Sequence, residues 1–106
     1  MTETEYTERN ELISDFMGLR LSDGWHQHPS PARGSCHPHF LQYHNNRNWL
    51  HLAWEKFRDL RFDMPKYETE HIEFRVNIAY NICFQNTEKA FQSIVSAIEW
   101  YNQLNK

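Results

Sequence analysis

Apolar positions recur along this chain with two different periods. Leu12, Ile13, Phe16 and Met17 fall on one side of a helix over 7–17, with Thr7 as its cap, Glu8 and Glu11 near its positive end and Gly18 at its close. Residues 1–6 are polar and expected to fray, with only Tyr6 able to tie to a core. A second helix is predicted over 46–61. Asn45, Asn46 or Asn48 can cap it, and Trp49, Leu50, Ala53, Trp54, Phe57 and Leu60 form one stripe. Arg47, His51, Glu55, Arg58 and Asp59 take the opposite side, and Pro65 lies beyond its end. Its two tryptophans mark it as the central core element. A third helix over 87–104 is capped by Asn86 and Thr87 and buries Phe91, Ile94, Val95, Ile98 and Tyr101, with Leu104 at its periphery.

Between the last two helices the period changes. Ile72, Phe74, Val76, Ile78, Tyr80, Ile82 and Phe84 alternate with Glu73, Arg75, Asn77, Asn81 and other residues, which predicts a strand with one wet face. Such a strand would extend roughly 45 Å, so a bulge is expected near Asn77–Asn81. Its pairing partners would come from residues 19–25, 38–43 or 60–68. Residues 19–44 are irregular and hold Gly24, Gly34, Pro29, Pro31 and Pro38, and the stretch 26–39 reads as a His/Pro-rich loop. The predicted fold is a single α+β domain over 1–106: a small antiparallel sheet with three helices packed on one face.

Composition narrows the function classes. With 106 residues, 40% hydrophobic and 15% aromatic, the chain can bury one core. Eleven basic and 14 acidic residues give a net charge of −3, unlike a dedicated nucleic-acid binder, and protonation of the seven histidines would carry that total through zero. Cys36 and Cys83 form no CxxC pair and are expected to be reduced thiols. No apolar run is long enough to span a membrane and the first residues do not resemble a signal peptide, so the expected location is cytoplasmic.

Several residue groups invite a chemical reading. His26, His28, Cys36, His37 and His39 offer soft sulfur and imidazole suited to zinc or copper. Pro29 and Pro38 turn neighbouring rings apart, and a solvated loop accounts for the same residues. Cys36 beside His37 has the composition of a thiolate–imidazole pair, although sequence neighbours on extended chain point apart. Cys83 reads as a small packed thiol. Glu68, Glu70 and Glu73 read as a solvated acidic group, and they interrupt the basic set Arg58, Arg61, Lys66 and Arg75 beside Tyr67. Trp25, Trp49, Trp54 and Trp100 exceed the needs of one small core, and any left at the surface favour a protein contact. Tyr43, His44, Trp49 and Trp100 could line a cleft. No catalytic, cofactor-binding or metal residue is assigned.

NELISDFMG, YHNNRNWLHLAWEKF, VNIAYNICF and AIEWYNQ together resemble a family of small uncharacterised proteins from bacterial and phage or mobile-element genomes. Phe16, Met17, Gly18, Tyr43, His44, Trp49, Leu50, Glu55, Lys56, Val76, Ile78, Trp100, Tyr101 and Asn102 carry the likeness. This chain has Arg47 where the family shows a second Trp, and a His/Pro-rich stretch where the family is shorter. The resemblance implies an architecture and supplies no catalytic residues. The leading expectation is a non-enzymatic accessory or interaction protein, with a homodimer as one form. The alternatives are a metal-binding protein or metal-dependent enzyme, and a nucleic-acid-binding accessory protein.

Overall fold

A computed structural model describes residues 2–21, 23–27, 35–36 and 41–105, with only the backbone of Ser35 and Cys36. Its elements are α1 (Glu3–Phe16), β1 (His26–Gln27), β2 (Ser35–Cys36), α2 (Arg47–Arg58), α3 (Pro65–Phe84) and α4 (Thr87–Leu104). The expected α+β fold is overturned. Four helices form the body, and among the described residues the strand pairing amounts to a two-residue antiparallel ladder with His26 opposite Cys36 and a single antiparallel bridge between Arg20 and His26. The run expected to be a strand, Ile72 to Phe84, lies inside α3.

The alternation is compatible with a helix because successive residues turn by about 100°, so alternate residues lie about 200° apart. Seven alternating apolar residues therefore divide into two rows of four-residue spacing on opposite sides. Ile78 is fully buried, and Phe74 and Ile82 pack against the core in the same row. Ile72, Val76, Tyr80 and Phe84 form the other row and face outward. A helix also closes its backbone hydrogen bonds within itself, whereas a strand of this length finds no partner among the described residues. Pro65 occupies the first turn of α3, where its missing N–H is harmless, and Glu68 complements the positive end. At the other end, the Arg47 guanidinium donates to the carbonyl oxygens of Ile82 and Gln85.

The other helix ends follow local rules. α1 begins earlier than expected because Thr2, not Thr7, caps it: Thr2 Oγ1 accepts from the Glu5 N–H at 3.2 Å, and Glu5 Oε1 accepts from the Thr2 N–H at 3.4 Å. Residues 3–6 are thus helical, and Tyr6 Oη donates to Glu88 Oε2 at 3.1 Å. Gly18, at φ 74°, closes α1; its N–H donates to Asp15 O and that of Leu19 to Ser14 O, the paired bonds of a Schellman ending. Asn46 caps α2 and Asn86 caps α4, as expected. α2 ends at Arg58, short of the expected Arg61.

Side-chain contacts fix the helix directions. Tyr6 meets Glu88 while Phe16 meets Tyr101, so α1 runs parallel to α4. His44, just before α2, packs on Phe91, and Phe57 packs on Trp100, so α2 is parallel to α4 as well. α3 runs against all three. Ala90, Phe91, Ile94, Val95, Ala97 and Ile98 of α4 are buried against the other helices, which makes α4, rather than the tryptophan-bearing α2, the central element. Small Ala90 and Ala97 permit that close approach. Leu41 and Tyr43, between the ladder and α2, complete the core.

Candidate interaction surface

The outward row of α3 is the most exposed large apolar feature among the described residues. Ile72 is 43% exposed, Val76 64%, Tyr80 52% and Phe84 74%. The Tyr80 and Phe84 rings touch at 5.3 Å between centroids, so the lower half of the row is aromatic and the upper half aliphatic. Cys83 is exposed on this face, contrary to the expected packed thiol. Charge is also divided along the helix. Glu68 and Glu73 are exposed in its first half, with Glu70 half-exposed and the cations Lys66 and Arg75 among them, whereas Arg47 and Lys89 flank its last turn. A run of four large apolar side chains on one helix edge fits burial against another protein surface.

The histidine cluster takes a different form from the one its spacing suggests. His26 is fully buried, and its Nδ1 lies 2.6 Å from Ser14 Oγ. Among the described residues its Nε2 has no partner. His28, His37 and His39 lie outside the described residues, as does the Cys36 side chain. Among the described residues no three His, Cys, Asp or Glu side chains gather as a metal site would require. The Ser14–His26 pair was not foreseen, because helix position Ser14 and loop position His26 share no local pattern. Ser14 is itself fully buried, so its hydroxyl is closed to any substrate and the pair anchors β1 on α1. Burial lowers the His26 pKa, with Arg20 acting in the same direction.

Tyr43, His44, Trp49 and Trp100 do not share a cleft. Tyr43 packs edge-on against Trp49 at 5.2 Å near the start of α2, while Trp100 lies at the other end of the bundle against Phe57, Phe62 and Phe74. His44 is wedged between Tyr6 and Phe91 and bonded to Asn10. Trp54 gives its indole N–H to Arg75 O, with Arg58 over its ring. Two of the basic set are committed locally: Arg58 pairs with Asp59, and Arg61 donates to the carbonyls of Asp59 and Leu60. Of the three glutamates, Glu70 accepts the Trp100 indole N–H at 2.7 Å.

A shallow groove of about 400 Å³ lies between the last turns of α1, α2 and α4, over Phe16 and Tyr101. The carboxylate on its rim, Asp15, is held by Arg20 at 2.6 Å. The outward row of α3 escaped the sequence reading because an alternating run was assigned one buried side. Its readable signal is the four-residue spacing within the alternation, together with Pro65 and Glu68 at the start of the helix. No helix among the described residues is long and apolar enough to cross a membrane. Compared with protein-family models, with curated proteins and with solved structures, the chain matches none of them.

Proposed function

We propose that this protein is a small helical binding module that acts without catalysis and docks an amphipathic helix of a protein partner along the outer face of α3. The observation that carries the reading is the row Ile72, Val76, Tyr80 and Phe84, exposed on a helix whose opposite side already supplies the core. Leaving such side chains in water forgoes about 1.5 to 3 kcal/mol for each one that a partner could bury. Four-residue spacing on a straight helix presents a ridge that fits the groove of another helix. The acidic first half of the face favours a partner carrying cations at the matching end.

Fluorescence anisotropy with a labelled amphipathic peptide of leucine and lysine tests the surface. The wild-type chain is expected to bind the peptide, and the double variant Val76→Ser, Tyr80→Ser to lose at least tenfold in affinity while keeping its helical circular dichroism. Equal binding by the two proteins would overturn the proposal.

A further inference from the structure

The outer face of α3 is complementary to itself when reversed, and we infer that its occupant is the same face of a second copy, the two α3 helices running antiparallel. This rests on the docking role proposed above and adds the identity of the partner.

Two independent properties of the face have the required symmetry. The first is size: aliphatic Ile72 and Val76 occupy the first half, aromatic Tyr80 and Phe84 the second. Antiparallel pairing about the level of Ile78 sets Val76 opposite the partner's Tyr80 and Ile72 opposite the partner's Phe84, a large ring against a smaller branched side chain at each step. Parallel pairing would oppose Phe84 to itself and leave a gap between two valines. The second property is charge. The first half carries exposed Glu68 and Glu73, with Glu70 bonded to Trp100, against Lys66 and Arg75, a net negative charge; the second is flanked by Arg47 and Lys89 with Glu88 beside them, a net positive one. Reversal brings the acidic half of one copy beside the basic flank of the other, whereas parallel pairing opposes like charges. An isologous contact of this kind closes after two copies and does not propagate.

A 20-residue helix is about 30 Å long, so one helix edge with its flanks buries less than the ~1,200 Å² of a standard interface. The dimer should therefore be weak, with dissociation in the micromolar to submillimolar range.

Light scattering from the intact chain, from micromolar to millimolar concentration, reads the association. The expected result is a monomer–dimer equilibrium that Val76→Ser, Tyr80→Ser abolishes. Glu68→Lys should weaken the dimer several-fold, and Glu68→Lys combined with Lys89→Glu should recover it. Nitroxides on Cys83 in a Cys36→Ser background report direction. In the antiparallel pair the two labels lie about 15 Å apart along the helix axis, whereas in a parallel pair they touch and broaden each other's spectra. A monomer at every concentration, or contact broadening, overturns the inference. If the leucine–lysine peptide still binds the wild type alone, the docking surface stands with a different occupant; if it does not, both readings fall.

Discussion

Asn10 grips His44 at two points. Its side-chain Oδ1 accepts the His44 backbone N–H at 3.3 Å, and its Nδ2 lies 2.9 Å from the His44 ring Nδ1. The first bond fixes which way the amide faces, so the second must be donated by Asn10 to an unprotonated Nδ1. The grip therefore holds His44 neutral with its proton on Nε2. Burial depresses the His44 pKa in the same sense, against a weaker pull from Glu88.

His26, His44 and His71 are all pushed below the ordinary histidine value of about 6.5, each chiefly by burial. The folded state then binds fewer protons than the unfolded one, so their contribution is complete above the unfolded pKa and declines as pH falls through and below it. Urea unfolding between about pH 7.5 and 5 should show a falling midpoint as the solution is acidified. His71→Gln, which can still donate to Phe57 O, should flatten that fall by removing one of the three groups. A midpoint independent of pH over this range would contradict the neutral, buried assignment.

Ile78 and Val76 separate a helix from a strand directly. On a strand both would face the same side and respond alike to truncation. On α3 Ile78 is buried and Val76 is exposed. Ile78→Ala should therefore destabilise the chain by about 2 to 5 kcal/mol, and Val76→Ala by no more than about 0.5, both read from urea denaturation of the dilute monomer.

The Trp100–Glu70 bond ties α4 to α3 next to the Phe57, Phe62 and Phe74 rings. Trp100→Phe keeps an aromatic ring but leaves a half-buried carboxylate without its donor. It should lower stability by about 1 to 2 kcal/mol. Combining it with Glu70→Leu should give less than the sum of the two single effects.

Gly18 ends α1 with a positive φ, and a Cβ there would meet nothing within 4 Å. Any loss on substitution is therefore backbone strain. Gly18→Ala should destabilise by about 1 kcal/mol and Gly18→Asn by less, measured by thermal unfolding.

Local signals in the sequence were good guides where a cap or a stripe decided the structure. Asn46, Gly18, Asn86 and the span of α4 behave as their residue types require. Period two over 72–84 is not sufficient for a strand; the pattern equally describes a helix with two apolar edges, and tertiary pairing decides between them. α1 starts ahead of Thr7 because the Thr2–Glu5 capping box sits in a polar stretch that has the composition of a frayed end. The Ser14–His26 and Asn10–His44 contacts join residues far apart in sequence, and no local periodicity encodes them.

The two-edged character of α3 also shapes how the molecule fails. Residues 72–84 keep their alternating pattern when the helix melts, and an extended chain gathers all seven apolar side chains on one flank. Melted copies can then add to one another edge by edge, with few charges to keep them apart. The helical state conceals this template. Heat should carry the protein into precipitate, and gelation should accompany loss of the far-ultraviolet helical signal.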